Sequence, residues 1–343
     1  MFTTPAIGAL RRRFPGARIT YLVEAAAEPV VRHHPGLDEI IVAARPRGFE
    51  RWRYDVSLAR RIRAARFDIV IDFHGGPRSR VLTWASGAPQ RIGYGLPGRS
   101  WGYTVRVPWT RSLVPPRHSV SNQWDLIAAL GIGEPHRVTD PVVMPVDPPS
   151  VARVAGRLAA AGVSATAPIV VVHVSAGNPF RRWPAASFAQ VAATLALEEP
   201  RRRIVITSGP SEADAAEAVA AEARALAGAA AGSIVRCGEF DLSELRALVD
   251  RAVLYIGGDS GPLHIAATSS TPVVALFGPT LPERSLPWRD PSLRSMAVDA
   301  GPLPCRPCHQ RHCVPGDFRC LTAISPTMVL DAARALLRVE AGL

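Results

Sequence analysis

The sequence predicts an α/β protein built from two doubly wound domains. Short apolar runs alternate with helical stretches along the chain, which is typical of parallel sheets covered by helices on both faces. The length of 343 residues suits two domains of about 150 residues each. A proline-rich segment near the middle supplies a boundary. With 48% hydrophobic and 20% charged residues, the composition excludes a disordered chain.

In the first half, apolar runs at residues 18–23, 39–43 and 68–73 are predicted strands, with helical stretches such as 54–66 between them. The chain opens on a helix start, because Thr4 followed by Pro5 has the pattern of an N-cap and first helical residue. A doubly wound domain should open with a strand. We therefore expect that the first strand and its ligand-binding loop lie before Met1, in a longer reading frame; the alternative is a chain that lacks this strand.

The second half has the clearer pattern, with predicted strands at residues 168–174, 203–207, 233–237, 253–256 and 273–277. Asp241 with Glu244, and Ser211 with Asp214, predict capping boxes at two helix starts. Residues 140–149 contain four prolines, which interrupt strands and helices. The predicted division is therefore a first domain at 1–145, a second at 150–328, and a C-terminal helix at 329–343, with packing against the first domain as one hypothesis for that helix.

The basic residues are all arginine: 40 of them face 29 acidic residues, for a net charge of +11. This excess suits nucleic acid, an anionic membrane surface or an acidic small substrate, and charge alone does not choose among them. No apolar run reaches the roughly 18 residues of a membrane span, and no signal-peptide pattern opens the chain. We expect a cytoplasmic protein.

The segment at residues 253–267 combines a strand, a glycine-rich loop and a helix start. Amide groups of Ser260 and Gly261 at such a helix start can bind phosphate. Asp259 would repel a phosphate, so it is predicted to accept hydrogen bonds from sugar hydroxyls; the alternative is that Asp259 or Ser260 is an N-cap. His264, one turn into the helix, is a packed histidine or a catalytic one, and the packed role is the commoner of the two.

Two further loops follow predicted strands. Residues 175–184 contain Arg181, Arg182 and Trp183, which together could clamp a diphosphate against a rigid wall; otherwise the arginines are a solvated pair. Residues 208–212 end in Glu212, which is predicted to take ribose hydroxyls or to complement the helix dipole.

Four of the five cysteines crowd one late segment with the spacing C-x2-C-x4-C-x6-C. They are Cys305, Cys308, Cys313 and Cys320. Four thiolates at short spacing can form a tetrahedral zinc site. Structural zinc is one hypothesis for this segment, and reduced thiols or a redox pair are the others.

The order and spacing of these motifs resemble the lipopolysaccharide heptosyltransferases, the ADP-heptose-dependent glycosyltransferase family 9. The resemblance rests on Gly258-Asp-Ser-Gly-Pro-Leu-His264, Thr271-Pro-Val-Val-Ala-Leu-Phe-Gly-Pro-Thr280 and the Arg181-Arg-Trp-Pro184 loop, and it extends to Thr3-Thr-Pro-Ala-Ile7 and the cysteines. It covers nearly the whole chain. It implies two Rossmann-like domains facing a cleft, the glycosyltransferase-B fold, with the first strand of the N-terminal domain missing from the sequence.

The resemblance also implies roles. Asp259, Ser260, Gly261 and His264 would form the donor site, Glu212 would lie near the adenosine ribose, and Arg181 would stand where the family usually has a lysine that neutralises the departing ADP. The reaction would be an inverting displacement without a required cofactor. The family's general base, an aspartate in a Gly-Asp pair, would lie before Met1. We identify no replacement; Asp72 and His74 are the remaining candidates.

The implied partners are ADP-heptose, a lipopolysaccharide core acceptor held by residues 93–106 of the acceptor-side first domain, and an anionic membrane surface at which the enzyme would be peripheral. The alternatives are a related transferase with another nucleotide sugar or acceptor, and a truncated or inactive paralogue that lacks the general base; a remote alternative is a basic, zinc-containing nucleic-acid-binding protein. Nucleic-acid binding is not expected, because Phe318 is the only aromatic residue among the arginines near the cysteines. A dinucleotide oxidoreductase is disfavoured since no G-x-G-x-x-G follows a strand.

Overall fold

The computed structural model describes residues 1–110 and 115–340, the side chains of 339 and 340 apart. The chain divides into two compact units, Met1–Val143 and Met144–Leu343, here called the first and second units. The division falls inside the proline-rich segment at 140–149, where the sequence predicts a boundary.

The first unit alternates short strands and helices. Its strands are β1 (Thr20–Glu24), β2 (Glu39–Ala43), β3 (Ile69–Ile71), β4 (Gln90–Tyr94) and β5 (Val105–Val107). Its helices are α1 (Thr4–Arg13), α2 (Glu28–Val31), α3 (Gly48–Ala64), α4 (Pro77–Ala85) and α5 (Ser119–Ala128). Within the described residues the strands form two parallel sheets, β1-β2 and β3-β4-β5. The single sheet that the sequence predicts is therefore observed in two pieces.

Several local predictions in the first unit need correction. Strands β4 and β5 are absent from the predicted set, because β4 has polar residues at its start and β5 has only three residues. Helix α3 starts six residues before the predicted helix. Thr4 is the first residue of α1 rather than its N-cap; its hydroxyl donates to the Met1 carbonyl and accepts from the Val143 amide.

The second unit has one continuous parallel sheet. Its strands are β6 (Ile169–His173), β7 (Arg203–Thr207), β8 (Ile234–Val235), β9 (Leu254–Gly258), β10 (Val273–Phe277) and β11 (Ser295–Asp299). Its helices are α6 (Pro148–Ala160), α7 (Ala185–Glu198), α8 (Ala213–Ala227), α9 (Leu242–Asp250), α10 (Gly261–Ala266), α11 (Pro282–Ser285), α12 (Arg319–Thr322) and α13 (Pro326–Glu340). The strand order in the part of the sheet described is β11-β10-β9-β6-β7-β8, so β6 and β9 lie at its centre.

The core of the second unit joins the sheet to helices α7, α8 and α13. Strands β6, β9 and β10 are buried at every position, as expected for a sheet covered on both faces. Helix α13 begins at Pro326 rather than at 329, and its Val329, Leu330, Ala333 and Leu336 lie in this core. The C-terminal helix is therefore part of the second unit rather than a separate segment, because its apolar face packs beside the central strands.

The capping box of Asp241 and Glu244 is confirmed at the start of α9. The one predicted for Ser211 is wrong: α8 starts after Glu212, and no side chain caps it. In the described part of the chain, none of the helices combines the length and the hydropathy needed to cross a bilayer.

Candidate functional site

The loops singled out in the sequence all leave the same edge of the second unit's sheet. They follow the carboxyl ends of β6, β7 and β9, and a further loop follows β10. Because these strands are parallel neighbours, their carboxyl ends lie side by side, which is where open α/β sheets bind ligands.

Asp259 stands at the end of β9 with only 3% of its surface exposed. Its Oδ2 accepts hydrogen bonds from the Thr280 hydroxyl at 2.6 Å and from Nη1 of Arg181 at 3.1 Å. The Nε2 of His264 lies 3.6 Å from the other carboxylate oxygen. Burial raises the pKa of Asp259, but the neighbouring His264 imidazole, the Arg181 charge and the Thr280 hydroxyl together bring it below its ordinary value. The carboxylate is therefore held ionised.

Arg181 joins three segments of the chain. Its Nη1 donates to both the backbone and the carboxylate oxygens of Asp259, each at 3.1 Å, and its Nε donates to Oε1 of Gln310 at 2.7 Å. At Gly258 a Cβ would lie 3.3 Å from the Arg181 carbonyl oxygen, so the glycine lets the two loops approach closely. These contacts give the basic group a fixed position beside the end of β9.

The neighbouring Arg182 pairs with Glu212 instead. Its Nη2 lies 2.6 Å from Oε1 of Glu212, and its Nε donates to the Ala176 carbonyl at 2.9 Å. Glu212 therefore links the loops after β6 and β7. The sequence does not foresee this ion pair. Trp183 is buried rather than a wall of the site: its indole N–H donates to the Ile324 carbonyl, and its ring packs edge-on against Phe188.

The start of α10 presents the remaining predicted residues. Ser260 is the residue before the helix, and its side chain makes no capping hydrogen bond, so neither it nor Asp259 is a side-chain N-cap. The buried Ser260 hydroxyl has no hydrogen-bond partner within the described residues. A Cβ at Gly261 would meet open space. His264 is buried beside Asp259 and packs into the site rather than pointing to solvent.

A buried polar chain that sequence reasoning missed supports these loops. His173 ends β6 in register with Thr207, and its Nδ1 lies 3.0 Å from the Thr207 hydroxyl. Its Nε2 lies 3.1 Å from the hydroxyl of Ser175, which in turn accepts from the Gly209 amide at 2.8 Å. Burial lowers the pKa of His173 to about 4, so the ring is neutral at neutral pH. A histidine ending an otherwise apolar strand is the signal that could have revealed it.

A hydrogen bond between side chains also joins the loop after β8 to the loop after β7. Glu239 accepts hydrogen bonds from the Ser208 hydroxyl at 2.9 Å and from Arg236 at 2.8 Å. This carboxylate belongs to the same sheet edge, and neither spacing nor periodicity in the sequence distinguishes it from a surface acid.

The cysteine segment packs against the same loops. Arg306 donates to the Thr280 carbonyl, and Gln310 accepts from Arg181. The four cysteines and His312 line one small cavity of about 40 Å³. Burial and then the neighbouring thiols of Cys308, Cys305 and Cys313 raise the pKa of Cys320. Among the described residues, however, no three metal-ligating side chains lie close enough together to hold an ion. The predicted zinc site is therefore not formed by these side chains as they stand.

The candidate bases of the first unit lie after β3. The carboxylate of Asp72 is buried and accepts four hydrogen bonds, from the amides of His74 and Gly75 and the hydroxyls of Ser79 and Tyr103. Burial and the Asp72 hydrogen bond raise the pKa of Tyr103. His74 is exposed. Asp72 thus holds the backbone and side chains of this loop together.

The segment 93–106, predicted as a loop, begins inside β4 and ends inside β5, so its two ends are strand residues.

The model of glycosyltransferase family 9 (heptosyltransferase) matches residues 56–317, three quarters of the chain. The chain belongs to this family. The matched range includes Arg181, Glu212, Asp259 and His264, and it ends before Cys320.

Similar proteins agree with this family 9 assignment. The chain is 27% identical over 352 aligned residues to lipopolysaccharide heptosyltransferase 3 of Escherichia coli strain K12, covering 99% of this chain and 95% of that one. Its fold matches a family 9 glycosyltransferase of Veillonella parvula with a TM-score of 0.80 at 23% identity, over 98% and 93% of the two chains. It also matches the E. coli ADP-heptose lipopolysaccharide heptosyltransferase II with a TM-score of 0.74 at 20% identity, over 99% and 95%. The prediction of the family and of its α/β fold is confirmed.

Proposed function

We propose that this chain transfers heptose from ADP-heptose to the inner core of a lipopolysaccharide precursor. The observation that carries the proposal is the convergence of Arg181, Asp259 and Thr280 at the carboxyl ends of β6, β9 and β10 in a family 9 chain. Two relatives named as lipopolysaccharide heptosyltransferases, one of them with ADP-heptose in its name, support this donor and acceptor.

The proposed chemistry is an inverting displacement at the anomeric carbon. A base removes the proton of the acceptor hydroxyl as its oxygen attacks, and the bond to the diphosphate oxygen breaks. Arg181 uses Nε and Nη1 to hold Gln310 and Asp259, and within the described residues Nη2 makes no hydrogen bond. That group, with Arg182 and the amides at the start of α10, would stabilise the negative charge of the departing ADP.

Asp259 would act mainly by holding Arg181 in place, with any contact to the heptose as a second role. Its carboxylate already accepts from Arg181 and Thr280, which supports the positioning role. Glu212 would contact a ribose while it remains paired with Arg182.

The first unit would hold the acceptor through residues 93–106. Asp72 and His74 remain candidate bases there, and Asp72→Asn and His74→Ala variants test them by acceptor-dependent ADP release.

The test combines ADP binding by calorimetry with release of ADP from ADP-heptose in the presence of a heptose-deficient core acceptor. We expect Arg181→Ala to weaken ADP binding by about 10- to 100-fold, since it removes a charge-assisted contact. Asp259→Asn should lower the rate with a smaller effect on ADP affinity. Arg201→Ala is the matched control, because this exposed arginine precedes β7 at the opposite edge of the same sheet.

The outcomes separate the possible errors. Wild-type ADP affinity in Arg181→Ala would contradict the donor site. ADP binding without release from ADP-heptose, together with release from another nucleotide sugar, would retain the site and reject heptose as the sugar.

Structural zinc is a separate proposal for Cys305, Cys308, Cys313 and Cys320. The shared cavity of the four thiols supports it, although the ligands would have to move closer together to bind an ion. Metal analysis of protein purified under reducing conditions tests it, with a Cys308→Ser/Cys313→Ser variant as control. Less than one zinc per chain in the wild type would contradict it.

A further inference from the structure

The positive charge of the chain is concentrated in one unit. Met1–Val143 contains 21 arginines and 11 acidic residues, a net charge of +10. Met144–Leu343, although longer, contains 19 arginines and 18 acidic residues, a net charge of +1. The net positive charge is therefore not spread evenly along the chain. A net charge of +10 within 143 residues suits contact with a polyanion.

Exposed tryptophans follow the same division. Four of the five tryptophans of the first unit are exposed: Trp52, Trp84, Trp101 and Trp109. Both tryptophans of the second unit, Trp183 and Trp288, are buried. Large aromatic side chains on a water-facing surface usually mark a binding surface, and here they coincide with the basic unit.

The most exposed aromatic pair lies at the start of α3. Phe49 is 72% exposed and Trp52 is 63% exposed, and their rings stack at 5.8 Å between centroids with 26° between the planes. Every residue from 47 to 53 is exposed, whereas α3 acquires a buried face only from Leu58 onward. The first turns of α3 therefore project from the unit with an apolar pair that no described residue covers.

Arginines surround this pair. Arg47 and Arg53 form no ion pair within the described residues, and Arg51 reaches Asp55 only at 3.9 Å. Glu50 is the one acidic residue between 47 and 53. We call Arg47, Phe49, Arg51, Trp52 and Arg53 the arginine–aromatic patch. It lies outside the range 56–317 that the family model matches.

We propose that the arginine–aromatic patch docks the first unit onto an anionic lipid bilayer. Phenylalanine and tryptophan partition into the headgroup region of bilayers, and arginines beside them pair with lipid phosphates. The inference rests on the proposed function for its context, because an acceptor that is a lipid-anchored saccharide has to be met at a membrane surface. The patch combines the two chemistries that such a surface requires, apolar insertion and positive charge.

Vesicle co-sedimentation of the full chain tests the proposal without any sugar substrate. The probes are vesicles of phosphatidylcholine alone and vesicles of phosphatidylcholine with about 30 mol% phosphatidylglycerol. The second kind of vesicle supplies the anionic lipid that attracts basic segments of proteins. We expect binding only to the anionic vesicles, weakening as salt rises. Arg47→Gln/Arg53→Gln should weaken it by about 25-fold, at about fivefold for each arginine. Phe49→Ser/Trp52→Ser should weaken it by at least about tenfold, and Trp52→Phe should retain it.

Matched controls come from the second unit. Leu197→Ser/Leu226→Ser removes two apolar side chains that are 54% and 53% exposed, and Arg201→Gln/Arg338→Gln removes the same amount of charge. Both should bind vesicles like the wild type. Circular dichroism and ADP affinity, unchanged in every variant, show that the fold and the donor site are intact.

Three results would overturn the proposal: wild-type vesicle binding in both patch variants, equal binding to neutral and anionic vesicles, or loss of single-stranded RNA binding in the patch variants with vesicle binding unchanged. Failure of the proposed function would appear elsewhere, as absent ADP release with a soluble acceptor saccharide, while vesicle binding persists.

Discussion

The two units of this chain follow the same order of strands and helices, but among the described residues the first unit has five strands and the second has six. In the second unit, β6 opens the order and pairs with β7 on one side and β9 on the other. In the first unit, β1 and β2 correspond to β7 and β8, and β3, β4 and β5 correspond to β9, β10 and β11, with the same parallel pairings. No described strand of the first unit corresponds to β6, and the sheet is in two pieces.

The difference shows what a central strand contributes. Strands β6 and β9 are fully buried, whereas β1 and β3 are half-buried, and Leu22 within β1 is exposed. The second unit has a continuous core that spans the sheet and three helices, whereas the first unit has smaller clusters such as Ile41, Leu58, Ile62 and Leu82 with Ala43. A parallel sheet gains its stability from burial on both faces, which the central strand extends across the sheet.

The largest expected difference is in hydrogen exchange of the strand amides. We expect amides of β1 and β3 to exchange at least about 1000-fold faster than those of β6 and β9, because small sheets open locally without unfolding the rest. Mass spectrometry of peptides from the full chain measures this. Equal protection in the four strands would show that the divided sheet is as stable as the continuous one.

The second-largest expected difference between the units is in the free energy of unfolding lost when a core side chain is truncated. Ile256→Ala at the fully buried centre of β9 is expected to cost about 3 to 4 kcal/mol, since it removes apolar contacts and leaves a cavity. Ile69→Ala in β3 should cost less than about 2 kcal/mol, because this side chain is only partly buried. Urea titration of each variant, followed by hydrogen exchange in the affected unit, measures both. A cost for Ile69→Ala equal to that of Ile256→Ala would break the comparison.

The buried His173 predicts an acid sensitivity of the second unit. The folded chain holds this histidine at a pKa of about 4, and the unfolded value is near 6.5, so the unfolded state binds more protons between these values. The contribution of the neutral histidine to the free energy of unfolding is complete above pH 6.5. The free energy of unfolding then falls by about 3 kcal/mol as the pH drops towards 4. In His173→Gln the unfolding free energy should depend less on pH over this interval. An unchanged pH dependence in urea titrations would contradict the buried neutral histidine.

The smallest expected difference concerns helix starts. Asp241→Ala should destabilise the second unit by about 1 kcal/mol, because the hydrogen bond from the Glu244 amide to the Asp241 carboxylate is lost. Arg47→Ala in the first unit should have almost no effect, since Arg47 precedes α3 without a capping hydrogen bond. Thermal unfolding of both variants measures the contrast, and Ser211→Ala should match Arg47→Ala. A similar loss in all three would show that capping does not distinguish them.

Local pattern was sufficient for much of the second unit. The apolar runs at 203–207 and 273–277 coincide with β7 and β10, and the capping box lies where Asp241 and Glu244 predict it. These features depend on neighbours within a few residues, so spacing reveals them. The first unit was harder to predict because β4 and β5 are short and polar, and because α3 begins with a fully exposed segment that has no amphipathic pattern.

The sequence by itself determined the family, the α/β class, the two-unit division and the presence of Arg181, Glu212 and Asp259 in loops after strands. Only the tertiary structure decided their partners. Arg181 meets Asp259 across 78 residues and Gln310 across 129, and Glu212 holds Arg182 rather than open solvent. The physical reason is that periodicity and turn chemistry act over a few residues, whereas hydrogen bonds between distant loops depend on which strands the sheet places side by side.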